Sequence, residues 1–178
     1  MAGRVEMIVG PMFSGKSEEL LRRIHRVELA SQPYLLIKPS IDNRYSADEV
    51  VSHAGRKGKC VLVESAEDIL NYPLLSVIGI DEAQFLSGDL VGVVEDLAQR
   101  GARVIIACLD TDSTGKPFGK MGDLLAVADE VIKLKAVCMV CGADASKTQR
   151  LLSVATQVSV GGTDQYEARC RSCWTPLS

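Results

Sequence analysis

Apolar runs alternate with amphipathic stretches along the first 137 residues of the chain. The apolar runs predict strands at 5–9, 34–38, 60–63, 77–80, 103–109 and 130–137, and the amphipathic stretches predict helices at 18–30, 86–100 and 124–128. A shorter helix is expected to open at Ser65 with a capping pattern, and the polar stretch 40–58 is interpreted as a long loop. Because the strands are continuously apolar and alternate with helices, the pattern predicts an α/β fold with a parallel sheet covered on both faces.

The turn between the first strand and the first helix carries a phosphate-binding motif. Residues 10–17 read GPMFSGKS and match G-x-x-x-x-G-K-[ST] at every fixed position. In this context backbone N–H groups and the helix dipole point at phosphate, Lys16 adds a positive charge, and the Ser17 hydroxyl can ligate Mg²⁺. The motif therefore predicts binding of a nucleoside triphosphate. The expected contacts are Gly10, Pro11, Met12, Phe13, Ser14, Gly15, Lys16 and Ser17.

An acidic pair, Asp81-Glu82, ends the apolar run at 77–80. A P-loop protein needs such carboxylates on a neighbouring strand, where Asp81 would hold the hydration shell of Mg²⁺ near Ser17. Glu82 is expected to point to the opposite side, because side chains alternate along a strand. Two roles stay open for it: polarising water in an ATPase, or taking the proton of a substrate hydroxyl in a small-molecule kinase.

Composition and charge narrow the class of protein. The 178 residues are 47% hydrophobic and 24% charged, which suits a soluble α/β domain with a small appended module. The net charge of −3 argues against a protein whose main function is to bind nucleic acid. No apolar stretch approaches the ~20 residues needed to span a bilayer, so a cytoplasmic protein with no membrane contact is expected. The expected division is a P-loop domain at 1–137 and a second module at 138–178.

Four of the six cysteines form two C-x-x-C pairs, namely Cys138, Cys141, Cys170 and Cys173. In an intracellular chain these pairs predict a closed, tetrahedral, structural zinc site, with disulfides or redox motifs as the alternative. The 28 residues between the pairs, 142–169, exceed the ~15–20 of a usual zinc ribbon. A metal that holds both ends of this long segment suggests that the segment is a lid over a substrate. A lid favours a small-molecule kinase over an ATPase.

Six sequence elements together resemble the zinc-containing (type II) thymidine kinases over essentially the whole chain. In chain order they are 10–17, 42–46 (DNRYS), 81–85 (DEAQF), 116–119 (KPFG), the four cysteines, and 161–166 (GGTDQY). The resemblance implies a RecA-like P-loop sheet flanked by helices, plus a small zinc-ribbon-like module that carries a lasso loop. It implies transfer of the γ-phosphate of ATP to the 5′-hydroxyl of thymidine, and also Mg²⁺, structural Zn²⁺ and a homotetramer.

Carried over by position, the resemblance gives Glu82 the role of catalytic base. Four further residues are expected near the nucleotide and Mg²⁺: Asp42, Arg44, Asp81 and Gln84. The expected nucleoside contacts are Phe85, Phe118, Thr148, Gln157, Val158, Ser159, Val160, Gly161 and Tyr166. The chain departs from the family at Ser113, where a phenylalanine usually lines the nucleoside pocket. The remaining alternatives are a P-loop ATPase whose zinc module binds nucleic acid or a protein partner, and a catalytically quiet nucleotide sensor.

Overall fold

A six-stranded sheet forms the centre of the computed structural model, which describes residues 3–41, 49–51, 57–151 and 165–176. The strands are β1 (Arg4–Val9), β2 (Tyr34–Pro39), β3 (Glu49–Val51), β4 (Lys57–Lys59), β5 (Val61–Val63), β6 (Val77–Ile80), β7 (Arg103–Cys108), β8 (Glu130–Lys133), β9 (Ala136–Val137), β10 (Asp144–Ala145), β11 (Lys147–Arg150) and β12 (Tyr166–Arg169). The helices are α1 (Lys16–Leu29), α2 (Leu90–Gln99) and α3 (Met121–Val127), with 3₁₀ turns at Glu67–Asn71 and Ala83–Phe85. The large sheet has the order β5-β2-β6-β7-β1-β8, and all its pairings are parallel, which confirms the predicted fold class.

Helices cover both faces of the sheet. On one face, Ile8 and Ile105 pack with the α1 side chains of Leu20 and Ile24. The opposite face packs against α2 and α3 through a larger cluster that includes Met7, Ile106, Val94, Leu97 and Leu124. Strands buried on both faces give continuous apolar runs in the sequence, which is why the pattern predicted a parallel sheet. Among the described residues, no helix combines the length and the apolar character that crossing a bilayer requires.

The prediction of a continuous loop at 40–58 is wrong, because β3 and β4 pair there as a short antiparallel ribbon. Val50 in β3 is only 1% exposed and belongs to the cluster on the α1 face. Gly58 in β4 lies so close to this face that a Cβ atom would come within 2.8 Å of Leu21 and 3.0 Å of Leu36. Two adjacent valines and one glycine in polar surroundings give a pattern too short to predict a strand.

The predicted last strand at 130–137 is divided into two strands. β8 pairs with β1 in the large sheet, whereas β9 pairs with β10 in a separate antiparallel ribbon. Between these two strands, the Leu134 N–H donates to the carbonyl of Val9 at 2.8 Å. Leu134 therefore lies directly beside the start of the P-loop.

The carboxyl ends of β1, β6 and β7 meet at one edge of the sheet and bring the predicted motifs together. β1 leads into the P-loop, and β6 leads into Asp81 and Glu82. The acidic pair was expected to end a strand that neighbours the P-loop strand. This expectation is wrong, because β7 lies between β1 and β6. The acidic pair nevertheless faces the P-loop, since parallel strands all end at the same edge.

Glu6 is a fully buried carboxylate in β1 that binds three guanidinium groups. Its oxygens lie 2.5 Å from Nη1 of Arg23, 2.6 Å from Nε of Arg4 and 2.6 Å from Nε of Arg103, with a second Arg103 bond at 2.9 Å. Burial alone would raise the pKa of Glu6, but the hydrogen bonds from Arg103, Arg4 and Arg23 outweigh it and lower the pKa from 4.5 to about 2. This network fastens α1 and β7 to β1, the strand that leads into the P-loop.

We expect Glu6→Gln to lower the free energy of unfolding by about 3–5 kcal/mol, because three arginines lose a buried counter-charge. Since folding lowers the pKa of Glu6 to about 2, its stabilisation is complete above pH 4.5 and is lost as the pH falls toward 2. Urea unfolding at pH 7 and pH 3 measures both effects, and the difference between wild type and variant should shrink at pH 3. Glu64→Gln, the same change at an exposed position, is the control, and equal stability of Glu6→Gln and wild type at pH 7 would contradict the account.

Candidate functional site

The P-loop follows β1 and leads directly into α1, which begins at Lys16. Gly10 has a φ of 150°, and a Cβ atom there would lie 2.5 Å from the carbonyl oxygen of Leu134. Gly15 has a φ of 83°, in the left-handed region that glycine adopts at low cost. Phe13 also has a positive φ of 66°, which is uncommon for a bulky residue. The two glycines therefore fit a loop that must curl tightly before a helix N-terminus, as a phosphate cradle requires.

Lys16 lies almost fully buried beneath this loop, with 8% of its surface exposed. Its Nζ donates to the carbonyl of Pro11 at 2.8 Å, and the Ser14 hydroxyl donates to the same carbonyl at 2.8 Å. Burial lowers the pKa of Lys16, and the negative charges of Glu82 and Asp81 oppose that lowering. A buried ammonium beside backbone N–H groups fits the phosphates of a nucleotide.

Ser17 and Asp81 meet across the sheet edge, where the Ser17 hydroxyl donates to Oδ1 of Asp81 at 3.1 Å. A hydroxyl and a carboxylate are oxygen donors of the kind that Mg²⁺ prefers, so the pair fits a magnesium ion bound beside the phosphates. Burial and the nearby charge of Glu82 raise the pKa of Asp81 to about 7, while the bond from Ser17 lowers it. A bound cation would favour the ionised carboxylate.

Glu82 follows Asp81 but lies beyond the last residue of β6, Ile80. We expected the alternation of side chains along a strand to set the direction of the Glu82 side chain. This expectation is wrong, because the backbone of Glu82 is left-handed, with φ 51° and ψ 39°. Such a conformation in a glutamate costs of order 1–3 kcal/mol and is typical of functional sites. The Nε2 group of Gln84 donates to Oε2 of Glu82 at 2.5 Å. Gln84 thus binds the predicted base.

Asp110 is a buried carboxylate at this edge that the sequence patterns did not single out. It lies two residues after the end of β7, and it forms an ion pair with Lys133 at the end of β8. Its charge also acts on Lys16, where it opposes the lowering of the lysine pKa. The available sequence signal was the position of Asp110 directly after the apolar run 103–109.

Two predicted nucleoside contacts, Phe85 and Phe118, lie together. Their ring centroids are 5.9 Å apart with an interplanar angle of 86°, an edge-to-face pair that packs on the main core. Ser113 is half-buried in the adjoining loop at 110–118. That loop is held by Asp112, whose Oδ1 accepts from the Thr114 N–H at 2.9 Å and from its hydroxyl at 2.7 Å. Phe118 closes this loop, because its N–H donates to the carbonyl of Asp110 at 3.0 Å.

Two further predicted contacts, Thr148 and Tyr166, lie buried in the paired strands β11 and β12. The Thr148 hydroxyl accepts a hydrogen bond from the Met12 N–H of the P-loop at 3.1 Å. Arg150 stands opposite Tyr166, and its guanidinium carbon lies 5.9 Å from the centroid of the tyrosine ring. The structure thus places Thr148 against the nucleotide-binding loop.

The four cysteines of the C-x-x-C pairs come together, and their Sγ atoms all lie within 4.8 Å of one another. Cys141 and Cys170 are 3.7 Å apart, close to the about 3.8 Å that tetrahedral Zn–S bonds of ~2.3 Å impose. All four are free thiols rather than disulfides. Backbone hydrogen bonds, first from Cys170, lower the pKa of Cys138 to about 6, whereas the side-chain hydrogen bond with Cys170 raises the pKa of Cys173 to about 12, so without a cation the cluster shares its protons unequally. The donor set fits zinc.

The cysteine module packs against the P-loop. Phe13 lies against the small buried cluster of this module, which consists of Ala136, Cys138, Ala145 and Ala168. Trp174, next to the last cysteine, donates from Nε1 to the carbonyl of Thr148 at 3.2 Å. Its ring also lies against Gly115, where a Cβ atom would come within 2.7 Å of it. These contacts join parts of the chain that are far apart in sequence, so no local sequence pattern predicts them.

Seven predicted site residues lie outside the described residues, and their roles stay predictions. They are Asp42, Arg44, Gln157, Val158, Ser159, Val160 and Gly161.

The fold and the site define a class: a P-loop nucleotide-binding protein with a four-cysteine metal centre. The family model described as thymidine kinase matches residues 3–174, nearly the whole chain. The chain belongs to the thymidine kinase family. The resemblance found in the sequence is thereby confirmed, and this is a family of ATP-dependent nucleoside kinases.

A solved structure with a partly similar chain path is that of the ATPase DotB of Legionella pneumophila. It is 16% identical, the match covers 81% of this chain and 44% of the DotB chain, and the TM-score is 0.47. This chain therefore spans less than half the length of DotB. A likeness at this level carries no argument about function.

We expect Cys138→Ser to lower the bound zinc and the melting temperature together, and to weaken ATP binding because Phe13 and Thr148 join the module to the P-loop. A fall of roughly 5 °C or more is expected, since each kcal/mol shifts the melting temperature of such a domain by about 2–4 °C. Metal analysis, thermal unfolding and ATP titration measure the three quantities. Cys60→Ser makes the same chemical change at a half-buried cysteine outside the cluster and is the control. Unchanged zinc content in Cys138→Ser would contradict the ligand assignment.

Proposed function

We propose that the protein transfers the γ-phosphate of ATP to the 5′-hydroxyl of thymidine, giving thymidine monophosphate. One observation carries the proposal: the buried Lys16, the Ser17–Asp81 pair and Glu82 lie together at the carboxyl edge of the sheet. A candidate triphosphate site and a candidate proton acceptor thus lie close together in a chain of the thymidine kinase family, which supports the proposal. An ATPase would need the same triphosphate site, so the family match is what favours a nucleoside as the acceptor.

The first requirement of phosphoryl transfer is neutralisation of charge on a loose transition state. Lys16 and the backbone N–H groups of the P-loop face the phosphates. Ser17 would ligate Mg²⁺ and Asp81 its hydration shell; when bound, this ion offsets negative charge on the phosphate oxygens. We include Asp42 and Arg44 in this part of the site, where Arg44 would supply a second positive charge.

The second requirement is a proton acceptor for the nucleophile. Glu82 orients the 5′-hydroxyl and accepts its proton as the 5′-oxygen attacks the γ-phosphorus. A bond forms between these two atoms, the bond from the γ-phosphorus to the bridging oxygen breaks, and ADP leaves with that electron pair. The half-buried position of Glu82 close to Lys16 supports this assignment.

The third requirement is recognition of the nucleoside. We assign Phe85 and Phe118 to the wall of the base pocket, with Thr148 and Tyr166 opposite them. Backbone groups in the lasso residues Gln157, Val158, Ser159, Val160 and Gly161 would read the base edge, because hydrogen-bonding sites reject analogues that lack the matching groups. Ser113 in place of phenylalanine removes apolar area of order 150 Å², so other deoxynucleosides belong in the assay.

The remaining parts of the proposal concern the assembly and its setting. We propose a structural zinc ion in the four-cysteine site, a homotetramer, a cytoplasmic location, and a nucleoside rather than nucleic acid as partner. The net charge of −3 supports the last point. The division into a P-loop domain at 1–137 and a zinc module at 138–178 remains a prediction.

We expect Glu82→Gln to lower kcat by about 10²–10⁴-fold while ATP affinity stays near that of wild type, because the amide keeps the shape but accepts no proton. Label transfer from γ-labelled ATP to thymidine, deoxyuridine, deoxycytidine or deoxyguanosine is measured, and ATP consumption is measured without nucleoside. Glu95→Gln, the same change on an exposed position of α2, is the control.

Near-normal turnover by Glu82→Gln would remove Glu82 from the role of base. ATP consumption that needs no nucleoside would identify an ATPase and contradict the proposed function.

A further inference from the structure

The side chain of Gln84 lies between the predicted base and the backbone at the end of β7. It is buried, with 8% of its surface exposed, and it belongs to the 3₁₀ turn Ala83–Phe85 that follows Glu82. Its Oε1 accepts a hydrogen bond from the Leu109 N–H at 3.1 Å, and its Nε2 donates to Oε2 of Glu82 at 2.5 Å. One amide thus joins the Glu82 carboxylate to a buried strand end.

The orientation of this amide follows from its partners. A backbone N–H can only donate, so the oxygen end of the Gln84 amide must face Leu109. The donor end is thereby directed at Glu82, where a carboxylate oxygen accepts the bond. Leu109 directly follows β7, one of the central strands of the sheet, so the donor is fixed to a rigid element.

The backbone of Glu82 does not set the direction of its side chain, so contacts of the side chain itself must do so. This residue stands outside β6 in a left-handed conformation, where the pleat of the strand no longer sets the side-chain direction. The bond from Gln84 engages Oε2 and thereby restricts the rotation of the whole carboxylate group. A base displaced by 1 Å can cost about 100-fold in rate.

We propose that Gln84 is a positioning residue that holds the Glu82 carboxylate in the orientation for proton abstraction. This role rests on the proposed function and differs from the direct nucleotide contact that the sequence predicted for Gln84. Gln84 acts through Glu82, so its contribution should exist only while residue 82 is a working base. A purely structural role, satisfying the Leu109 N–H, would not depend on residue 82.

A double-mutant cycle separates these two roles. Gln84→Met keeps the length of the side chain and removes both hydrogen bonds. In the wild-type background we expect kcat to fall by about 10- to 100-fold, with the KM values for ATP and nucleoside within about twofold. In the Glu82→Gln background the same change should lower kcat by less than about twofold, because no base remains to be positioned.

Gln149→Met is the matched control, because Gln149 is also a buried glutamine whose amide bridges backbone groups, those of Arg150 and Thr175. Its effect on kcat should be the same factor in both backgrounds. Equal factors for Gln84→Met in the two backgrounds, or an unchanged kcat with wild-type Glu82, would overturn the positioning role.

Thermal unfolding and ATP titration accompany each variant. Should Gln84→Met fail to fold, Gln84→Asn replaces it, since its amide is one methylene too short to reach both partners; loss of the fold in both variants would show a structural role and overturn the inference. Wild-type protein that transfers no phosphate to any nucleoside overturns the proposed function, whereas an additive cycle in an active enzyme overturns only the role of Gln84.

Discussion

Burial of one positive charge is the constraint on which the site depends. Lys16 is 8% exposed, and burial lowers its pKa. Such an ammonium is tolerated only where counter-charges and hydrogen-bond acceptors surround it, and Glu82, Asp81 and the Pro11 carbonyl supply them. Burial and the charge of Glu82 in turn raise the pKa of Asp81 to about 7, so the three groups are linked electrostatically. A phosphate anion and a divalent cation are the ligands that complement this cluster.

Two supports outside the cluster hold it in place. The Glu6 network fastens α1 and β7 to β1, and therefore fixes the strand and the helix on either side of the P-loop. The cysteine module contacts the loop itself through Phe13 and through the bond from Met12 to Thr148. The two C-x-x-C pairs flank the predicted lasso, so the module that contacts the P-loop is also the one from which the lasso is expected to extend.

Features with fixed chemistry and fixed spacing were predictable from the sequence, and features that depend on tertiary approach were not. The P-loop, the parallel sheet and the four-cysteine cluster each follow from a local pattern. The direction of the Glu82 side chain does not follow from a local pattern. β6 ends before this residue, and its φ of 51° breaks the alternation of side chains along a strand. The role of Gln84 depends on Leu109, 25 residues further along the chain, and the ribbon of β3 and β4 rests on single residues packed against α1.

A crystal structure of the protein with Mg²⁺, a non-hydrolysable ATP analogue and thymidine tests the central claim most directly. The account predicts the terminal phosphate beside Lys16, the 5′-oxygen within about 3 Å of a Glu82 carboxylate oxygen, and the γ-phosphorus in line beyond it. A complex in which Glu82 turns away from the nucleoside, or in which the phosphates lie away from Lys16, would contradict it.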